Sequence, residues 1–343
     1  MNRRFVIIAG IGLIILLGLG GALYFAYQKQ QSAQNKVSAG PTLKKILDDQ
    51  VISPVPSFNN EAVWYFNRQG QLFRVNIDGS GLSEFALPEI SGSLGTALWP
   101  KSGSDFIAIT YEGVDERKFY YNSTSKVYTN LSSNIQSIDW LPDGQRVLYI
   151  WKSGDGKNQS LVMANSDGTG FKTIKDVFWP DLLVKASPDG TKALLYRSEG
   201  SGDVNSIYLV DLTSGEISTV VGEGQNTAAL WLENGTQFIY EQNTSAAYPK
   251  LFLYDLAAKT SVDLNLSTSL NKILPDPSGT SLYAAVPKSD NTGDNFIKLD
   301  LATLKQENYF SPASQIRGIN LMLLGNTLYF VNSTDGKLYS IEK

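Results

Sequence analysis

The side chains that could do chemistry in this sequence are carboxylates, tyrosines, serines and lysines, because the 343 residues include no cysteine and no histidine. Without cysteine there are no disulfides, thiolate metal sites or cysteine nucleophiles. Without histidine, Ser-His-Asp catalysis, histidine general bases and nearly all catalytic zinc sites are excluded. Paired carboxylates remain, as in glycoside hydrolysis, but that chemistry needs a fixed separation between them. Acidic residues recur in polar stretches at Glu112, Asp115, Glu116, Asp155, Glu199, Asp203, Asp290 and Asp294, with no spacing that pairs any two of them. The sequence therefore predicts no catalytic residue, no metal ligand set and no cofactor. A net charge of −4 also argues against nucleic acid as a partner, since phosphate binding needs a basic face.

The elements that must position these groups form a repeat. A short turn follows an aromatic or apolar residue and precedes an alternating run, as in DWLPDGQRVLYI, ending at Ile150, and LWLENGTQFIYE, ending at Glu241. The turn glycines are Gly103, Gly144, Gly190, Gly235 and Gly279, spaced by 41, 46, 45 and 44 residues, with Asn60 and Gly325 at the ends of the series. Downstream of most turns lies a short strand ending in Asp, such as IYLVDL and LFLYDL, and then a further run such as Glu216–Val220. Four strands per 40–45 residues predict a β-propeller. The expectation is all-β: seven four-stranded blades over 42–343, the last completed by a strand from near residues 42–50. An incomplete ring would leave two sheet edges open.

The Trp-x-Pro-Asp-Gly of Trp140–Gly144, followed by strands ending in Asp-x-x-x-Gly such as Asp211–Gly215, resembles the WD-like repeats of TolB-type propellers. It is also similar to the propellers of prolyl oligopeptidases, although their hydrolase domain has no counterpart here. The resemblance implies the fold and leaves the activity open, because such propellers host many functions.

Trp99, Trp140 and Trp231 each stand four residues before a turn glycine, so they are expected to pack between blades. Asp211, Asp255 and Asp300 are expected to bond the turns that follow them. The Asn-x-Asp-Gly-x-Gly stretches at 76–81 and 165–170 resemble calcium loops only in part, lacking the twelve-residue pattern with a terminal Glu.

Phe5–Tyr27 is 23 residues without a charge, long enough as a helix to span roughly 35 Å. With Arg3 and Arg4 before it, it predicts an uncleaved single-pass anchor, with residues 1–4 cytoplasmic and the bulk of the chain extracytoplasmic. Residues 28–41 read as a linker. Seven Asn-x-Ser/Thr sequons are spread along the rest.

Strand order places the stereotyped turns on one face of the ring and longer, more varied loops on the other. Those loops are expected at Tyr111–Lys118, Lys152–Ser160, Ser198–Ser206, Glu241–Lys250 and Pro287–Asn295. The candidate binding residues lie there: Phe178 and Trp179 in the link KDVFWPD, with Tyr111, Tyr248, Asp155 and Asp203. The sequence thus favours a non-catalytic, membrane-anchored propeller that binds a protein or an envelope component. A carbohydrate- or small-ligand-binding propeller, with or without activity, and a structural surface protein are the alternatives.

Overall fold

In the computed structural model, residues 40–197, 204–244, 246–313 and 315–342 are described. The predicted anchor at 5–27 and most of the linker lie outside them. Among the described residues no helix is long and apolar enough to cross a membrane.

The chain enters through β1 (Thr42–Gln50) and then builds six blades in succession, each from four consecutive strands. Blade 1 holds β2 (Ile52–Pro56), β3 (Ala62–Phe66), β4 (Leu72–Asn76) and β5 (Ser83–Phe85). Blade 2 holds β6 (Ser93–Leu98), β7 (Phe106–Glu112), β8 (Asp115–Asn122) and β9 (Val127–Asn130). Blade 3 holds β10 (Ile135–Trp140), β11 (Arg146–Lys152), β12 (Gln159–Asn165) and β13 (Lys172–Val177). Blade 4 holds β14 (Leu182–Ala186), β15 (Lys192–Arg197), β16 (Asn205–Asp211) and β17 (Ile217–Gly224). Blade 5 holds β18 (Asn226–Trp231), β19 (Gln237–Gln242), β20 (Lys250–Asp255) and β21 (Thr260–Ser267). Blade 6 holds β22 (Ile273–Pro275), β23 (Ser281–Pro287), β24 (Asp294–Asp300) and β25 (Gln306–Phe310). Blade 7 holds β26 (Gly318–Leu324), β27 (Thr327–Asn332) and β28 (Lys337–Glu342), with β1 as its outer strand. The ring is therefore closed by the start of the propeller chain, as the repeat count required.

All seven predicted turn positions have left-handed backbone: φ is +56° at Asn60 and +101°, +65°, +69°, +64°, +69° and +61° at Gly103, Gly144, Gly190, Gly235, Gly279 and Gly325. Glycine takes that region without a Cβ penalty, and asparagine is among the few side chains that tolerate it. The degenerate first repeat is thus the same turn with a different residue. The Asp-ended strands behave alike. Asp211, Asp255 and Asp300 each accept two backbone N–H groups from the turn beyond, those of Thr213 and Ser214, Ala257 and Ala258, and Ala302 and Thr303.

The core is not one body but seven apolar seams, one between each pair of neighbouring blades. Alternation makes this possible: in β15, Ala193 and Leu195 face the seam with blade 3, while Leu194 and Tyr196 face the seam with blade 5. A strand buried on both faces reads as an unbroken apolar run, which explains ALLY at 193–196.

The innermost strands leave an unpaired edge toward the central channel, and neighbouring blades satisfy much of it. The indole N–H groups of Trp99, Trp140 and Trp231 donate to the carbonyls of Ser53, Leu98 and Lys185 in the preceding blade, at 3.0, 3.0 and 3.1 Å. Side chains cap edge amides in the same sense: Ala97 N–H donates to Ser53 Oγ, Val184 N–H to Ser137 Oγ and Ala186 N–H to Asp139 Oδ2. The repeated tryptophans are thus both seam packing and stitches between blades.

Candidate functional site

We call the end of the ring bearing the PDG-type turns and the third-to-fourth-strand turns the turn face. The opposite end, with the second-to-third-strand loops and the inter-blade links, is the loop face.

The loop face is less uniform than its sequence implies. The expected loop Tyr111–Lys118 is instead a tight hairpin: β7 and β8 pair up to Glu112↔Asp115, leaving only Gly113 and Val114 at the tip. The charged run DERK is strand, and its charges pair across the hairpin rather than project as a loop. Arg117 forms an ion pair with Glu112 at 2.6 Å, and Tyr111 Oη donates to Glu116 Oε2 at 3.0 Å. Gly113, at φ +64°, supplies the turn. Asp294, expected among loop carboxylates, is fully buried at the start of β24. There it pairs with Lys272 at 2.7 Å and accepts the Gly318 N–H at 2.8 Å, tying blade 6 to blade 7.

The two aromatic residues of the blade 3–blade 4 link behave differently from one another. Phe178 is 86% exposed. Trp179 is half-buried, its ring 4.2 Å from that of Tyr208 at an interplanar angle of 26°, and it packs against the blade 3–blade 4 seam. Asp181 ends the link in the left-handed region, φ +55°. Proline at 180 fixes the turn before it.

Tyr248 lies in the second-to-third-strand loop of blade 5. Its hydroxyl donates to Asn291 Oδ1 at 2.9 Å in the corresponding loop of blade 6. Arg317, in the link to blade 7, donates to the carbonyl and side-chain oxygens of the same Asn291 at 2.8 and 3.1 Å. The three residues make a polar bridge over neighbouring blades. Asp155 caps its own loop in blade 3, accepting from Ser153 Oγ at 2.5 Å and Lys157 N–H at 3.1 Å. The Ser153 hydroxyl and the Lys157 amide hold its carboxyl below the usual aspartate range. Asp203 lies outside the described residues. The described candidates thus share one face but occupy separate stations on it, in blades 2, 3 and 5 and the blade 3–blade 4 link.

The channel supplies groups that pattern reading missed. Asp139 and Lys185, on the inner strands of blades 3 and 4, form an ion pair at 3.5 Å. Lys185 lies deep in the ring yet keeps two-fifths of its side chain open to the channel, and the Asp139 carboxylate pushes its ammonium pKa up. The signal was a charged residue in the middle of an apolar inner strand, in SIDW and LLVKA. Between the inner strands of blades 7, 1 and 2 there is a cavity of about 300 Å³, lined in part by Ser53, Thr96, Trp99, Asn320 and Met322. No carboxylate lines it. The Asp carboxylates of the two calcium-like stretches turn inward on their own turns: Asp78 accepts from Ser80 N–H and Oγ, Asp167 from Thr169 N–H and Oγ1. Among the described residues no group of acidic side chains is arranged to hold a metal ion.

These features define a closed, seven-bladed propeller with a stitched inner ring. No family model matches the chain, and no curated protein sequence matches it. Solved structures share the fold. TolB from Acinetobacter baumannii aligns with a TM-score of 0.51 at 15% identity, over 78% of this chain and 64% of that one. The chain thus spans less than two thirds of the length of TolB. The propeller domain of the trilobed protease from Pyrococcus furiosus, described as having an open velcro topology, aligns at 0.59 with 11% identity, over 86% of this chain and 93% of that domain. Oligogalacturonate lyase from Vibrio parahaemolyticus aligns at 0.63 with 8% identity, over 89% and 97%. The TolB-like and peptidase-type propeller resemblance read from the repeats therefore holds for the fold. Neighbours that include a lyase and proteases leave the activity open.

Proposed function

We propose that this chain is a membrane-anchored, extracytoplasmic propeller that binds a protein or envelope component through its loop face and does no chemistry of its own. The observation that carries this reading is the state of the two link aromatics. Trp179 is seated on Tyr208 in the seam, and it fixes the neighbouring Phe178 in an outward, 86% exposed position. An exposed aromatic on a braced scaffold has the character of an interface anchor. Val114 and Val204, 96% and 57% exposed on the same face, extend the apolar content to blades 2 and 4. A catalytic reading would be favoured by a carboxylate-lined pocket on the axis. The channel cavity lacks one, and Asp139 is occupied by Lys185 and the Ala186 N–H.

The membrane anchor rests on the uncharged run Phe5–Tyr27 and the arginines before it. The full chain, expressed in its host, is expected to stay with membranes through a carbonate wash. For the interface, tagged full-length protein is recovered from native membranes as wild type, Phe178→Ala and Phe58→Ala. Phe58 is 93% exposed on the turn face and serves as the control. A partner lost only with Phe178→Ala supports the loop-face reading. A partner retained by both variants, or lost with Phe58→Ala alone, overturns it.

A further inference from the structure

On the turn face an ion pair joins two blades that are not neighbours. Lys101 lies in the turn between β6 and β7 of blade 2, and Glu233 in the turn between β18 and β19 of blade 5. They stand 132 residues apart, yet Lys101 Nζ donates to Glu233 Oε2 at 2.7 Å. Three blade steps in a ring of seven is nearly a diameter. The two side chains therefore meet across the channel mouth on the turn face.

The backbone holds their roots in place. A Cβ added to Gly144 would lie 2.7 Å from the Ser102 carbonyl oxygen and 3.5 Å from Pro100 Cβ. One at Gly190 would lie 3.1 Å from Pro142 Cγ, and one at Gly235 would lie 3.8 Å from Asp189 Cγ. The PDG-type turns of blades 2, 3, 4 and 5 thus touch in sequence and form a continuous arc. Lys101 and Glu233 project from its two ends, and their ion pair is the chord that closes it. The loop-face contacts given above, among the described residues, join a segment to its own blade, as at Gly113–Val114, or to adjacent blades, as in Tyr248–Asn291–Arg317, and none of them spans the ring.

We infer that the central channel is a one-ended pocket: the Lys101–Glu233 bridge is its floor, and solutes enter from the loop face. The cavity of about 300 Å³ is lined by residues of, or next to, the inner strands of blades 7, 1 and 2, the strands that form the channel wall. The Asp139–Lys185 pair stands on another part of the wall. In both pairs the cation is matched by a carboxylate, so neither leaves an uncompensated charge on the axis. The inference concerns access and does not depend on what binds the loop face.

Zero-length coupling tests the bridge directly on the full chain in detergent. A carbodiimide activates the Glu233 carboxyl, the Lys101 amine displaces the urea by-product, and an amide forms with net loss of water. The expected product is a tryptic species joining the peptides around 101 and 233. The exposed Lys45–Asp48 ion pair serves as an internal standard for coupling. Coupling at Lys45–Asp48 without the 101–233 product overturns the inference.

A second measurement covers access. The chain has no cysteine, so Thr96→Cys places a single thiol on the cavity wall. Adding Glu233→Ala, at a half-exposed position, opens the second mouth, and labelling by a small maleimide is expected to speed up about twofold as encounters arrive from both ends. An unchanged labelling rate means the turn-face mouth was already open and overturns the inference.

Discussion

The turn face and the loop face are made by the same chain, blade after blade, yet they obey different rules. On the turn face each crossing repeats one local solution: a left-handed residue at the turn and, in most repeats, a carboxylate that takes its own turn's amides. Neighbouring turns then touch one another. On the loop face each crossing is solved separately. Blade 2 uses a two-residue hairpin tip, blades 5 and 6 share the Tyr248–Asn291–Arg317 bridge, and the blade 3–blade 4 link seats Trp179 in the seam while leaving Phe178 in solvent. The difference teaches that regularity here comes from the inner ring and the turn face. Most of the chemical individuality lies at the other end, the Lys101–Glu233 bridge being the turn face's exception.

The sharpest way to break this contrast is to attack the stitching. Trp140 is 8% exposed and bonded to Leu98 O, so Trp140→Ala is expected to lower unfolding free energy by ~3–5 kcal/mol, read as a drop in the denaturant midpoint. Trp140→Phe keeps a ring and loses the N–H donor; it should cost nearer ~1 kcal/mol. Equal losses for the two variants would mean that the indole hydrogen bond, not packing, carries the seam.

Trp179→Ala tests the loop face where a link aromatic is seated in the seam. Its ring is half-buried and stacked on Tyr208, so ~1–3 kcal/mol is expected, less than for Trp140. A double-mutant cycle with Tyr208→Ala should return a coupling of about 0.5–1.5 kcal/mol. Zero coupling would detach Trp179 from the seam and make it as free for binding as Phe178.

Acid tests the turn face by another route. Backbone amides of Ser214, Ala258 and Thr303 hold the carboxyls of Asp211, Asp255 and Asp300 below the ordinary value of 3.8. A depressed folded-state pKa stabilises the protein above the unfolded value, and that contribution is lost as pH falls below 3.8 through the lower, folded value. The melting temperature should therefore hold steady down to about pH 4.5 and then decline. Replacing all three by Asn, which can cap the same amides without titrating, should shrink the decline. A decline of unchanged size would place the acid sensitivity elsewhere.

The smallest stability effect belongs to Phe178→Ala, expected within about 0.5 kcal/mol of wild type. Its effect on partner binding should be tenfold or more, equivalent to about 1.4 kcal/mol. A large stability loss with Phe178→Ala would move it into the core and remove the anchor from the loop face.

What the sequence made legible was whatever recurs. Gly103 through Gly325, with Asn60 standing in for glycine, marked seven turns with a left-handed residue; Trp99, Trp140 and Trp231 marked the stitches; and the missing outer strand of blade 7 pointed to residues near 42–50. What stayed hidden lacks a period. The polar run DERK gave no sign that its charges pair across a hairpin, because three exposed charged residues in a row at the start of a strand look like loop composition. Asp294 sat among loop carboxylates in sequence, and only the Lys272 ammonium and the Gly318 amide, brought in from other parts of the ring, make its burial tolerable. Lys101 and Glu233 could not be paired by spacing at all, since distance along the chain does not measure distance across a circle.

The closing strand also sets the timetable of assembly. Thr42–Gln50 leaves the ribosome ahead of every other part of the ring, yet its neighbour Lys337–Glu342 is the last strand of the ring to be made. Blades 1 to 6 can form from adjacent strands as they emerge, because their pairings are local. Blade 7 must wait for the whole chain. Joining ends this far apart adds an entropic cost that grows with the logarithm of the intervening length, and non-local β pairing is slow. Until then the edge of β28 is open, and Ile46 and Leu47 lack the blade 7 side of their cluster, Met322, Leu324, Tyr329, Val331 and Leu338. The protein is at greatest risk of pairing with another copy of itself in the interval between the emergence of β28 and the closing of the circle.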